Sequence, residues 1–162
     1  MLKKENAQPF GAEQRLKDLR ILLPPAPTPF GAYVEAVQTG NLLFLSGMLP
    51  TVGHEPGMIG RVGGELSLED GRKAARLACL NVLAVARKHL KSLDRVTRVV
   101  RLGVSIATAG DFRDLPKVAD GASELLLDVF GSDRLSCRSV FGVASLPLGM
   151  PIELEVTLEA GS

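Results

Sequence analysis

Alternation of apolar and polar residues predicts most of the β-strands of this chain. In the C-terminal segment 152–159, every second residue is aliphatic, and the residues between are glutamates and a threonine. Such alternation places one face of a strand in a core and the other against water or another subunit. Near the N-terminus, two short apolar runs flank Gly40-Asn41, whose backbone preferences suit a tight hairpin turn. The predicted strands are 33–38, 42–45, 96–107, 138–144 and 152–159.

Apolar residues recur at helical spacing in three other segments. The longest begins after Ser67, and Asp70 three positions on completes a capping-box pattern. Another has Pro116 in its first turn, where the missing N–H costs nothing. A short N-terminal helix is expected to stop at Pro24-Pro25, since a residue before proline avoids the helical region. The predicted helices are 13–22, 68–91 and 115–130.

The order of these elements predicts an α+β domain with two layers. After an N-terminal extension at 1–23, which includes the short helix, the order is β-β-loop-α-β-α-β-β, with 48–64 as a long surface loop. Two long helices on one face of a single mixed sheet form a two-layer sandwich. We therefore expect one domain at 24–162, whose other sheet face meets water or another subunit.

Composition narrows the classes of protein to which the chain can belong. Its 162 residues carry 19 Lys plus Arg against 18 Asp plus Glu, a net charge of +1, which argues against a general nucleic-acid binder. No segment is apolar over the roughly 18 residues that a membrane span needs, and no secretory signal is recognisable. Two cysteines make no disulfide framework, and two histidines offer no zinc-site spacing. We expect a cytoplasmic protein without a bound metal, whose partners are neither membranes nor nucleic acids.

Several short motifs occur in the order found in one known family. The segment 137–155 reads CRSVFGVASLPLGMPIELE, which combines Arg-Ser, a short apolar strand, Leu-Pro, a loop and Ile-Glu-Leu-Glu. Upstream, 29–33 reads PFGAY, and the hairpin is followed by SGMLP at 46–50. Over residues 24–159 the chain resembles the RidA/YjgF family, the reactive intermediate deaminases, as a divergent branch.

The resemblance implies a chorismate-mutase-like fold, a homotrimer, and sites in the clefts between subunits. It implies hydrolysis of enamines and imines of 2-amino acids to 2-keto acids and ammonia, with no metal or organic cofactor. Two alternatives stay open: a non-catalytic trimer that binds small carboxylates such as 2-keto acids, and an endoribonuclease, a label that some relatives carry. The near-zero net charge and the single tyrosine favour the ribonuclease least.

Two charged residues of the C-terminal motif are candidates for catalysis. The Arg138 guanidinium can hold a carboxylate through two parallel hydrogen bonds, which suits a 2-imino acid. Glu153 could position or activate the attacking water as a general base or acid. Considered as single residues, Arg138 could instead pair with a surface glutamate, and Glu153 could lie on a solvated strand face.

The resemblance also assigns residues to substrate binding. It implies that the N–H groups of Gly47 and Val140 bind the substrate carboxylate or keto oxygen, and that Ser46 lines the pocket. The ring and hydroxyl of Tyr33 would line the cleft. Asp120 lies approximately where the family commonly has asparagine, and an acidic residue there would repel a carboxylate substrate if it faced the cleft.

The spacing of Arg138 and Glu153 limits how the two can meet. If 138–144 and 152–158 formed a simple hairpin, the two residues would lie about 17 Å apart, at roughly 3.3–3.4 Å per residue. They could then meet only if they came from different subunits, or if these strands paired differently. A site shared between protomers agrees with the inter-subunit cleft that the resemblance implies.

Overall fold

A computed structural model describes residues 11–161, which form one five-stranded sheet, one two-stranded hairpin and three α-helices. The strands are β1 (Ala36–Thr39), β2 (Leu42–Leu45), β3 (Thr51–Val52), β4 (Glu55–Pro56), β5 (Val96–Ala107), β6 (Cys137–Val143) and β7 (Ile152–Ala160). The helices are α1 (Ala12–Asp18), α2 (Leu68–Leu90) and α3 (Leu115–Phe130), with 3₁₀ turns at Leu93–Arg95, Ser132–Arg134 and Pro147–Gly149. None of these helices is long and apolar enough to cross a membrane. Part of the predicted extension, residues 1–10, lies outside the described residues.

The five-stranded sheet is mixed, as predicted, with the spatial order β1-β2-β7-β5-β6. Neighbouring strands are antiparallel except β5 and β6, which run parallel and are joined through α3. Parallel neighbours need such a crossover connection, which α3 supplies. A hairpin between 138–144 and 152–158 does not form, because β5 lies between β6 and β7.

The helices α2 and α3 cover one face of the sheet, which confirms the two-layer α+β architecture. The predicted capping box opens α2: the Asp70 N–H donates to Ser67 Oγ at 3.1 Å, and the Ser67 N–H donates to Asp70 Oδ2 at 2.9 Å. The two helices approach each other closely at Gly121. A Cβ at this position would lie 2.2 Å from the Arg72 carbonyl oxygen, so α3 can reach α2 only with glycine there.

The N-terminal hairpin also forms as predicted, with Thr39 opposite Leu42 across the turn. Within the turn only Gly40 has a positive φ, +56°, and Asn41 does not. The first strand is shorter than predicted and begins at Ala36 rather than at residue 33. The cause is a tight bend in front of it, at residues 30–33.

The first helix is also shorter than the predicted 13–22. It ends because Arg20 takes a left-handed conformation with φ +55°. The Arg20 N–H then donates to the Lys17 carbonyl at 3.1 Å. The Ile21 N–H donates to the Leu16 carbonyl at 2.9 Å, which completes a Schellman ending. The chain therefore leaves the helix before the prolines that were expected to stop it.

The segment predicted as a loop at 48–64 contains the small β3–β4 hairpin, in which Thr51 lies opposite Pro56. A buried side chain of α2 anchors it. The Asn81 Nδ2 donates to the carbonyl oxygens of Leu49 at 2.9 Å and Thr51 at 3.1 Å. These bonds hold the segment after β2 against the helix layer and so fix one side of the cavity described next.

Candidate functional site

A cavity of about 580 Å³ lies between the end of β2, the start of β7 and the chain on either side of them. Its lining residues are Phe30, Gly31, Tyr33, Ser46, Gly47, Leu49, Pro147, Leu148 and Glu153. Most of this lining is apolar or aromatic, and Glu153 supplies its one carboxylate. Four predicted site residues thus lie together here: Tyr33, Ser46, Gly47 and Glu153. Within residues 11–161 there is no group of three or more His, Cys, Asp or Glu that could hold a metal ion.

The Glu153 carboxylate lies directly against the backbone of Gly47. Because Ile152 and Leu154 are buried under the helices, the alternation of β7 turns Glu153 to the opposite face of the sheet. A Cβ at Gly47 would lie 2.1 Å from Glu153 Oε1, so this approach requires glycine. The Gly47 N–H forms no hydrogen bond with any atom of residues 11–161. The cavity therefore offers a carboxylate and a vacant backbone donor side by side.

The proton affinity of Glu153 is altered by its surroundings. Partial burial disfavours the charged form and raises its pKa above the ordinary 4.5, and repulsion from Glu155 raises the pKa further. The two carboxylates lie two residues apart on the same face of β7. Glu153 consequently exchanges its proton at a higher pH than a solvent-exposed glutamate, which suits acid–base chemistry.

An aromatic cluster forms one wall of the cavity. The Tyr33 hydroxyl accepts a hydrogen bond from the Phe30 N–H at 3.1 Å. The Phe30 ring stacks on the His54 ring with centroids 4.3 Å apart, and Thr28 Oγ1 lies 3.2 Å from His54 Nδ1. Phe30 was not predicted as a site residue, although its place in the PFGAY motif was an available signal. Tyr33 thus orders the wall as well as lining it.

The Ser46 hydroxyl is engaged by the protein itself. Its Oγ donates to the Val34 carbonyl at 2.6 Å, and its backbone N–H donates to the Glu35 carbonyl at 3.0 Å. These bonds tie the chain entering β1 to the chain leaving β2. Ser46 therefore shapes the cavity, and Gly47 next to it presents the vacant donor.

A second apolar wall comes from the turn between β6 and β7. Leu148 is exposed and has a left-handed backbone with φ +56°. With Pro147 it lines the cavity, to which Phe30 and Tyr33 also belong. Neither residue was predicted to belong to the site, although both lie within the Leu-Pro-Leu-Gly part of the C-terminal motif.

Arg138 lies apart from this cavity, on the other face of the sheet. Its register partner on β5 is Leu102, whose side chain is buried beneath the helices. The Arg138 Nη1 donates to Asp120 Oδ1 at 2.7 Å and to Ser123 Oγ at 3.0 Å, both on α3. Within one protomer, therefore, the guanidinium of Arg138 and the carboxylate of Glu153 do not meet.

Val140 and Asp120 lie with Arg138 rather than with the 580 Å³ cavity. Val140 is two residues further along β6, opposite Val104, and its half-buried side chain packs against the core. Asp120 is not among the residues that line the cavity, and its carboxylate pairs with Arg138. Ser123 was not predicted, although its spacing of three residues from Asp120 on a helix places both on one face.

Comparisons with known proteins agree with this fold. A family model described as "YjgF/chorismate_mutase-like, putative endoribonuclease" matches residues 13–155. The chain is 39% identical to Protein TCP17 of Trypanosoma cruzi over 145 residues, which cover 89% of this chain and 91% of that protein. It is 33% identical over 135 residues to a protein of Dermatophagoides farinae named 2-iminobutanoate/2-iminopropanoate deaminase, covering 83% and 91% of the two chains.

A solved structure has the same architecture. The protein Atu1372 from Agrobacterium tumefaciens, described as having unknown function, superimposes with a TM-score of 0.84 at 32% identity. The match covers 93% of this chain and 92% of that one, so it includes both the sheet and the helix layer. The motifs, the mixed sheet and these matches together confirm the resemblance: the chain belongs to the YjgF/chorismate-mutase-like family.

Proposed function

We propose that this protein hydrolyses reactive 2-imino acids and their enamines to 2-keto acids and ammonia. The observation that carries the proposal is the Glu153 carboxyl beside the vacant Gly47 N–H, in a cavity that is otherwise largely apolar. The deaminase name of the Dermatophagoides farinae relative supports the same reaction class. A substrate of this class needs a donor for its oxygen atoms and a group that can move a proton to or from water.

The proposed site is shared between protomers of a homotrimer. Because Arg138 and Glu153 lie on opposite faces of the sheet in one chain, a small substrate that contacts both needs two chains. The sheet face away from the helices also leaves Val37 and Phe44 exposed on neighbouring strands. Apolar side chains in adjacent positions favour coverage by another subunit.

In the proposed reaction, Arg138 of one protomer and the Gly47 N–H of its neighbour hold the substrate carboxylate. Charge-assisted hydrogen bonds from a guanidinium are the strong, directional contacts that such a group requires. The Val140 N–H is the second proposed backbone donor. Ser46 and Tyr33 shape the walls that keep the imine carbon near Glu153.

Glu153 acts on the water that attacks this carbon. Its carboxylate accepts a proton as the water oxygen bonds to the imine carbon and passes that proton to the nitrogen, which gives a neutral tetrahedral carbinolamine. Glu153 then takes the hydroxyl proton of the carbinolamine and passes it to the nitrogen as the carbon–nitrogen bond breaks, so a carbonyl and ammonia are formed and the carboxylate is restored. Water is the only co-reactant, so one imine and one water yield one 2-keto acid and one ammonia.

The experiment that tests this proposal is a competition between enzyme and trap. An amino-acid oxidase generates 2-imino acids in situ, and semicarbazide captures those that are not hydrolysed. The wild-type protein is expected to accelerate keto-acid release for at least one of a panel of short, branched and aromatic imines. Tight keto-acid binding without acceleration would instead support a carboxylate-binding trimer. RNA cleavage that survives purification and disappears with a site substitution would support the ribonuclease.

A further inference from the structure

We infer that Asp120 and Ser123 are positioning residues that hold one nitrogen of the Arg138 guanidinium and leave its other edge for a carboxylate. The inference rests on the proposed function, because it concerns the residue proposed to bind the substrate. It gives Asp120 a role opposite to the repulsion expected for an acidic residue in the cleft.

The geometry fixes one end of the guanidinium. Asp120 and Ser123 are three residues apart on α3, so both side chains face β6 from one side of the helix. Both oxygens accept from the same nitrogen, Nη1, at 2.7 Å and 3.0 Å. A guanidinium Nη carries two N–H groups, so these two acceptors use both of them.

The other edge of the guanidinium is open. The Nε and Nη2 atoms of Arg138 form no hydrogen bond or ion pair within the described part of the chain. These two nitrogens carry the parallel N–H pair that a carboxylate accepts in a bidentate contact. A cavity of about 140 Å³, lined in part by Ser136 and Leu135, adjoins the Arg138 side chain. The Arg138 side chain thus has two donor nitrogens outside these bonds and a cavity beside it, which is what a bound carboxylate requires.

The charge of Asp120 has a second effect on this site. Its carboxylate offsets the positive charge of Arg138, so a substrate carboxylate is attracted less than it would be by an isolated guanidinium. Asparagine at 120 keeps an oxygen acceptor for Nη1 and removes the negative charge. Alanine removes both, and the guanidinium is then free to change its rotamer. Comparing the two substitutions therefore distinguishes the effect of holding Arg138 in position from the effect of the negative charge of Asp120.

The test compares Asp120→Ala, Asp120→Asn and Ser123→Ala in two assays, the hydrolysis of 2-imino acids and the binding of pyruvate by calorimetry. Asp120→Ala is expected to raise KM and the pyruvate Kd about tenfold while kcat stays within about twofold, as for the loss of a binding contact. For Asp120→Asn, KM and the pyruvate Kd are expected to be equal to or lower than the wild-type values. Ser123→Ala is expected to lie between wild type and Asp120→Ala.

A matched control is available on the same helix. Glu124 pairs with Arg72 at 2.6 Å, so Glu124→Ala removes a comparable ion pair next to Ser123 without touching Arg138. This control is expected to leave KM and Kd unchanged. Equal shifts in Asp120→Ala and Glu124→Ala, or an Asp120→Asn variant as impaired as Asp120→Ala, would overturn the inference.

The two assays also separate this inference from the proposed function. If wild type hydrolyses no imine but binds pyruvate, the deaminase proposal fails. The order of Kd values, with Asp120→Asn at or below wild type and Asp120→Ala above it, would then still support the positioning role. Pyruvate binding that is insensitive to all three substitutions would overturn it. A wild-type protein that neither hydrolyses imines nor binds pyruvate would overturn both.

Discussion

Replacing Arg138 with alanine is expected to lower kcat/KM for imine hydrolysis by about 10²–10⁴-fold. The guanidinium is proposed to bind the substrate carboxylate through two hydrogen bonds, and bonds to charged groups contribute about 1.5–3 kcal/mol each. Each 1.4 kcal/mol corresponds to about a factor of ten. The fold should persist, because the ion pair lost with Asp120 is partly exposed and such pairs contribute at most about 1 kcal/mol. Steady-state kinetics and thermal unfolding of the same preparation measure both effects.

The control for this variant is Arg72→Ala. The Arg72 side chain is 24% exposed and that of Arg138 is 26% exposed, and both donate to acceptors on α3. Arg72→Ala therefore reports what the loss of a helix-bound guanidinium does to the fold alone, and we expect wild-type kcat/KM. An Arg138→Ala variant with wild-type kcat/KM would show that Arg138 has no role in the proposed reaction. Equal losses in the two variants would assign the effect to helix packing.

Replacing Glu153 with glutamine is expected to lower kcat by about 10²–10⁴-fold, the usual contribution of a positioned acid or base. The amide has nearly the same shape but cannot accept the proton of the attacking water.

The same variant should be more stable than wild type at neutral pH. The pKa of Glu153 is higher in the folded chain than in the unfolded chain. Its contribution to the free energy of unfolding therefore stabilises the fold below the unfolded-state pKa and is lost as the pH rises through the folded-state pKa. Thermal unfolding at pH 7 and near pH 4 should show the gain only at pH 7.

The pH dependence of the proposed reaction in the wild-type protein tests the same residue. We expect kcat/KM to fall on acidification, with an inflection above the ordinary glutamate value of 4.5. Glu155→Gln removes the neighbouring negative charge, so the inflection should move to lower pH. Glu159→Gln, further along the same face of β7, serves as the control and should leave it in place. An inflection that stays at the same pH in Glu155→Gln would contradict the role assigned to Glu153. A Glu153→Gln variant with wild-type kcat would contradict it too.

The long elements could be predicted because their signals are local. The alternation of 96–107, the capping box of α2 and the proline in the first turn of α3 lie within or next to the segments that they define. The end of α1 could not be predicted from the sequence, because the left-handed residue that ends the helix is Arg20 and no glycine marks the turn. The two-residue strands β3 and β4 are too short to show a periodic pattern, and Asn81 on a distant helix holds them.

The site was predictable in part. The Ser-Gly and Ile-Glu motifs named residues that do lie together, since Gly47 comes shortly after the end of β2 and Glu153 lies at the start of β7. A separation of Arg138 from Glu153 was expected for a simple hairpin, but its actual cause was not predictable, because it depends on β5 lying between two strands that are neighbours in sequence. The pairing of Asp120 with Arg138 likewise depends on how α3 packs beside β6.

The central claim, a site built from two protomers that hydrolyses imines, is tested most directly by complementation between inactive variants. Arg138→Ala and Glu153→Gln chains are co-expressed in equal amounts with different affinity tags, and the mixed oligomers are isolated. In randomly mixed trimers about a quarter of the shared sites combine an intact Glu153 with an intact Arg138 from the next chain. We predict recovery of about a quarter of the wild-type rate before tag selection. Mixed oligomers that stay as inactive as either parent would contradict the shared site.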